Sequence, residues 1–179
     1  MSDVKRPAVR FRPGPGGGGP LDNLGFLLSQ LGFIASRRFH TVMAAMDLEP
    51  RQFLLLRFLA GDEGRSQQAL GERLRIPASR MVAIVDSLEE RGLVERRLNP
   101  SDRRTRALYL TAAGRRMLTR AMRLATEYEG TLGTSLKADE RRQLVRLLQR
   151  LAAEMDLLSG VHPGLSDEHG EDWKPPRRS

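Results

Sequence analysis

The chain reads as mainly helical with one small β-hairpin, and three observations predict it. Apolar residues recur at intervals of three and four along two terminal stretches, residues 24–46 and 112–158, the repeat of a single helix face. Between them, two shorter helical patterns meet at Arg75-Ile76-Pro77. Immediately afterwards, two alternating segments flank the turn-forming run Asn99-Pro100-Ser101-Asp102-Arg103-Arg104, the pattern of a hairpin. Helix, turn, helix and hairpin in that order make an α+β winged helix. The end helices carry more apolar surface than so small a lobe can cover, which predicts an intertwined dimer formed through the N- and C-terminal helices.

Residues 1–20 are rich in Pro and Gly, with the run Gly14-Pro15-Gly16-Gly17-Gly18-Gly19-Pro20. Such a segment buries too little to offset its backbone entropy, so a disordered arm is expected. Lys5, Arg6, Arg10 and Arg12 against Asp3 make it basic. Residues 21–47 form the first long helix, with Leu24, Leu27, Leu28, Leu31, Ile34, Ala35, Val42 and Met46 on one stripe and Phe26, Phe33 and Phe39 off it. A helix apolar on two sides packs on two sides. One side is therefore assigned to its own subunit and the other to a second copy.

Residues 48–111 hold the central lobe. Pro50 suits the first turn of a helix running through Phe53, Leu54, Leu56, Phe58 and Leu59 to Gly61, because its missing amide hydrogen has no bond to make there. Asp62-Glu63-Gly64-Arg65 is a polar connector. Ser66 can cap the next short helix, which carries Ala69, Leu70 and Leu74 inward. Pro77 cannot continue that helix and begins another. This one spans residues 78–91, with Met81, Ile84, Val85 and Leu88 as its apolar stripe and Ser79, Arg80, Ala83, Ser87 and Arg91 towards solvent. Gly92 supplies the left-handed residue at its end. Residues 93–98 and 106–110 read as the two strands.

Thr111 can cap a helix holding Met117, Leu118, Ala121, Leu124, Ala125 and Tyr128, which breaks over residues 130–135. The final helix carries Leu144, Leu147, Leu148, Leu151, Met155 and Leu158, with Asp139 and Glu140 at its positive end. Residues 112–158 are thus the C-terminal dimerisation helices. Residues 159–179 read as a second disordered tail, in which Trp173 is an isolated aromatic with no assigned role.

The 179 residues are enough for one domain with a real core. A net charge of +8 favours an anionic partner. Only Lys5, Lys137 and Lys174 of the thirty basic residues are Lys. Arg suits bidentate contacts to phosphate and guanine, although a genome's coding composition accounts for the same bias. With no Cys, disulfides, thiolate-bound zinc and thiol redox sensing are excluded. His40, His162 and His169 are scattered, so no metal or other cofactor is expected. No apolar run nears the roughly 20 residues that span a bilayer, and no signal-peptide core is present, so no membrane partner and a cytoplasmic location are expected. Nothing resembles a catalytic constellation: the glycine run lies in a Pro-rich tail rather than on a strand-to-helix turn.

From Arg96 to Arg106 the hairpin tip carries five Arg against the single Asp102, a charge that calls for a polyanion. The run Asp102-Arg103-Arg104-Thr105-Arg106-Ala107-Leu108-Tyr109-Leu110-Thr111 fits D-x-R-x5-L-T, and Leu88-Glu89-Glu90-Arg91-Gly92-Leu93-Val94-Glu95-Arg96 fits L-E-x-x-G-L-V-x-R. Both resemble the MarR family (multiple antibiotic resistance regulators), and the similarity spans residues 24–158. The resemblance implies a homodimeric regulator of transcription, most often a repressor, bound to a pseudo-palindromic operator in double-stranded DNA.

In that arrangement Ser79, Arg80, Val82 and Ala83 face the major groove, and Ser66 and Gln67 are further candidate contacts. The resemblance places Arg104 in the minor groove with Asp102 holding it, while Arg103 and Arg106 add charge along the backbone and Arg96 is a further candidate contact. A turn-stabilising role for Asp102 is compatible with this. Relatives often carry S-T-V-T-R where this chain has Ser79-Arg80-Met81-Val82-Ala83, so their base preference does not transfer. The family also binds small aromatic or phenolic anions between dimer helices and DNA-binding lobe. Phe33, Arg37, His40, Phe53 and Arg57 are the candidate lining, against the plainer reading of core Phe and surface Arg. The alternative function is a winged-helix module that binds RNA or a protein without responding to a ligand.

Overall fold

The computed structural model describes residues 23–99 and 102–163, with the backbone alone at residue 99 and residues 102–105. The expected N-terminal arm, and the tail from residue 164 onward, lie outside the described residues. Among the described residues six helices and one hairpin follow in order: α1 Leu24–Ala44, α2 Pro50–Gly61, α3 Gln67–Leu74, α4 Ala78–Glu90, β1 Val94–Asn99, β2 Asp102–Leu110, α5 Ala112–Thr131 and α6 Ala138–Glu154. The described residues are mainly helical, as the spacing predicts.

Two compact units divide the chain between His40 and Thr41. The first is the body of α1, which leaves Leu24, Phe26, Leu31, Phe33 and Ile34 exposed. The second begins in the last turn of α1, where Met43 is fully buried, and holds the described elements from α2 onward. Its core is mainly aliphatic: Leu55, Leu56, Leu59, Leu70, Leu74, Met81, Val85, Leu88, Val94 and Leu108 are almost wholly out of water. Burying a side chain of this size is worth ~1.5–3 kcal/mol. That energy fixes α2, α3, α4 and the hairpin against one another.

The helix ends follow their chemistry. Ser66 has extended backbone, and its hydroxyl accepts from the Ala69 amide at 3.1 Å. Arg75 then closes α3 in the left-handed conformation, with φ 53°. Gly92 follows α4 at φ 64°. The Thr111 hydroxyl accepts from the Gly114 amide at 3.0 Å and starts α5. At α6 the carboxylate of Glu140 accepts from the Lys137 amide at 2.7 Å. This helix ends at Glu154, earlier than the apolar spacing suggests, and Asp156 sits just beyond it at φ 53°.

The hairpin differs from expectation at its tip. The strands pair antiparallel from Val94 with Leu110 to Leu98 with Arg106, and the next pair is Asn99 with Asp102. The run expected as a loop is therefore largely strand, with residues 103–105 on β2 lying where the register slips. The connector before α3 is also more than a link. The Gly64 amide donates to the Leu108 carbonyl at 3.0 Å, the Leu108 amide to the Arg65 carbonyl at 2.9 Å, and Ser66 bridges Ala107. Residues 64–66 thus flank β2 on the side away from β1.

Candidate nucleic-acid interface

Helix α4 is held from behind. Met81, Ile84, Val85 and Leu88 are buried, while Ser79, Val82 and Ala83 are exposed and Arg80 is half-buried. The exposed set falls on one face because the buried set occupies the other. Arg80 lines a hollow of about 320 Å³ with Arg51, Gln52 and Ser79, between the start of α2 and α4.

Two residues expected in solvent turn inward. Gln52 is only 7% exposed, and its side chain donates to the Ser87 hydroxyl at 3.0 Å. Its carbonyl oxygen accepts from the Glu49 amide at 3.0 Å and from Arg91 at 3.3 Å. Ser87 and Arg91 are therefore drawn to α2, which corrects their assignment to a solvent face. Arg91 also reaches Asp47 at 3.3 Å. A Gln two residues after a Pro at a helix start signals an end cap in the sequence, but not the serine 35 residues away that it bonds.

On the hairpin, Arg96 has a side chain only 17% exposed, in bonds to Asp86 at 2.5 Å and to Glu89. Its guanidinium also donates to Gln67 at 2.9 Å, and its backbone amide to Glu89 at 3.1 Å. Burial alone would lower its pKa; the bonds from Asp86 and Glu89 outweigh that and raise it. Arg96 and Gln67 were both expected to touch DNA, yet here each engages the other. Arg97 lies over the Tyr109 ring, 4.9 Å from its centroid, and Arg106 is exposed. For Asp102, Arg103 and Arg104 the backbone in β2 is what the structure describes.

The candidate ligand residues divide between the two units. Phe33, 61% exposed, and Arg37 lie on α1, with the guanidinium 5.6 Å from the ring centroid, and His40 is exposed one turn on. In the second unit Phe53 is 3% exposed and belongs to the core, whereas Arg57 is exposed on the same helix. Sequence reasoning also passed over Glu63. One of its carboxylate oxygens accepts from the Leu110 amide at 2.8 Å and the other from Arg115 at 2.7 Å. Burial raises its pKa, but the Arg115 and Leu110 bonds and the charges of Arg115 and Arg97 bring it below the ordinary value.

A buried-backed helix after a tight turn, followed by an Arg-bearing hairpin, defines a winged helix-turn-helix protein. The comparisons narrow that class. Residues 46–105 match the profile of the MarR family. A candidate transcriptional regulatory protein for the hcr operon of Thauera aromatica is 33% identical over 129 residues, covering 72% of this chain and 78% of that protein. The transcriptional repressor CouR, solved on a 23-mer DNA duplex, is 38% identical with a TM-score of 0.67, covering 75% of this chain and 96% of that one. CouR from Rhodococcus jostii RHA1 with p-coumaroyl-CoA is 30% identical, with a TM-score of 0.63 over 75% and 94% of the two chains. The chain belongs to the MarR family of winged-helix transcriptional regulators. Among its described residues no helix is long and apolar enough to cross a membrane.

Proposed function

We propose that the protein is a homodimeric repressor that reads a pseudo-palindromic operator with α4 and the hairpin, and that a small aromatic or anionic ligand releases it. The observation that carries the reading is the division of α4: four apolar residues hold it to the lobe while Ser79, Val82 and Ala83 stand outward beside an Arg-rich hairpin. That is how a recognition helix meets a major groove. A relative 38% identical over most of the chain was solved on a DNA duplex, which supports the same partner.

Dimerisation is supported by the end helices. α6 buries none of its residues, and Leu144, Val145, Leu147 and Leu148 are exposed on it, as are Leu31 and Phe33 on α1. Leaving such a surface in water is costly. The ligand rests on Phe33 and Arg37, an exposed aromatic beside a cation, and on CouR's structure with p-coumaroyl-CoA, which is both aromatic and anionic. In the hairpin, Arg104 is assigned to the minor groove, Asp102 to holding it, and Arg103 and Arg106 to phosphates.

Selection of bound fragments from genomic DNA tests this directly. A palindromic footprint is expected, with half-sites about 34 Å apart. Arg104→Ala should weaken binding to the selected duplex by ~1–3 kcal/mol at fixed salt. Enrichment of no duplex, or RNA that outcompetes the selected duplex in the same titration, overturns the reading.

A further inference from the structure

Arg96 sits where three elements converge. It projects from β1, Asp86 and Glu89 lie one turn apart on α4, and Gln67 is the first residue of α3. One guanidinium bonds all three side chains, and Glu89 also takes the Arg96 backbone amide. An arginine reaching for phosphate keeps its fork free. This one is committed to two carboxylates and an amide oxygen, with 17% of its side chain in solvent.

The geometry points to Arg96 as a positioning residue that clamps the hairpin to the recognition helix, rather than as a contact to the phosphate backbone. The inference rests on the operator-binding reading above and assigns a specificity role within it. Major-groove and hairpin contacts lie on separate elements, so a sequence is read by both at once only if their spacing is fixed. Charge-assisted and amide bonds to three side chains tie α3, α4 and β1 together and fix it. The clamp also neutralises part of an acidic pair on the helix that approaches a polyanion. Without Arg96, Asp86 and Glu89 would keep their full negative charge on that helix.

Contact and clamp predict different results in equilibrium titrations of Arg96→Met, Arg96→Lys and the double variant Asp86→Asn/Glu89→Gln. Each is measured against the duplex selected from genomic DNA and a scrambled duplex of the same length, over a range of salt. A phosphate contact adds about 0.9 to the slope of log affinity on log salt. For a clamp, Arg96→Met keeps the wild-type slope and loses ~10-fold or more of the ratio between selected and scrambled duplex. The carboxylate variant loses a similar ratio despite shedding two negative charges, because the ratio cancels generic attraction. Arg96→Lys keeps the charge but not the fork, and loses specificity too.

A slope reduced by about 0.9 with the ratio preserved in Arg96→Met overturns the proposal. So does a carboxylate variant that binds more tightly with undiminished preference. If the wild-type chain prefers no duplex, the operator reading fails, and amide exchange then decides the clamp. The amides of residues 94–98 should exchange faster in Arg96→Met and Arg96→Lys than in wild type. Wild-type exchange rates in these folded variants would overturn it.

Discussion

Gly114 lies where the hairpin hands the chain to α5. A Cβ built there would stand 2.0 Å from the Leu93 carbonyl oxygen and 2.9 Å from its carbon. Ordinary contact begins at 3.4 Å, so Gly114→Ala pushes α5 and the start of β1 apart by more than 1 Å. The obstacle is backbone and cannot swing aside. The same carbonyl accepts from the Thr111 amide at 3.1 Å, a bond that the displacement stretches. Forced packing costs ~1–3 kcal/mol and a weakened hydrogen bond ~1 kcal/mol. Alanine's better helix propensity returns ~1 kcal/mol. The net expectation is a loss of ~1–3 kcal/mol.

Gly130 provides the control in the same helix. A Cβ there meets nothing within 4 Å, so Gly130→Ala gains part of the helix propensity, ~0.5 kcal/mol this near the helix end. Guanidinium titration at one fixed protein concentration measures both, since self-association would otherwise shift the midpoints. Gly114→Ala should lower the midpoint and Gly130→Ala leave it level or slightly raised, with equal slopes. A Gly114→Ala chain as stable as wild type would refute the claim that Leu93 sets how closely α5 approaches.

Other outcomes follow from the same geometry. The folded pKa of Glu63 is depressed, so its stabilisation is present above the ordinary 4.5 and is lost as pH falls through the folded value below it. The stability gap between wild type and Glu63→Gln should therefore narrow as pH drops from neutrality to about 3; an unchanged gap there would contradict the role of the Arg115 and Leu110 bonds. Ser66→Ala removes the cap of α3 and should cost ~1 kcal/mol in chemical denaturation, with a neutral result denying the cap its weight. The proposed dimer, of twice 20.1 kDa, predicts that Leu147→Glu with Leu148→Glu halves the sedimenting mass to one chain, and a double variant that still sediments as wild type would refute the assignment of this surface to it.

What could be read from the residues alone was whatever depends on near neighbours in sequence. The stripe Met81, Ile84, Val85 and Leu88 is legible because a helix brings those positions to one face, and all four are buried. Ser66 and Thr111 are legible as caps because a hydroxyl reaches an amide three residues on. The start of α2 at Pro50 and its end at Gly61 were likewise local. The hairpin tip was not: turn-forming residue types at 102–104 lie in strand, and the pairing of Asp102 with Asn99 across the register slip is a tertiary match that local turn preference does not report.

The charged residues show where sequence reasoning stops and why. Arg96 and Arg106 look alike in a basic hairpin, ten positions apart on opposite strands. A count of charges gives both the same task. What separates them is the acidic pair Asp86 and Glu89, at a spacing that puts both on one side of α4, together with the crossing that carries β1 past it. Arg106 lies exposed, whereas Arg96 spends its charge inside the protein. The net charge of a hairpin therefore overstates what it offers to DNA, and each acidic residue on the preceding helix must first be matched to the arginine that it captures.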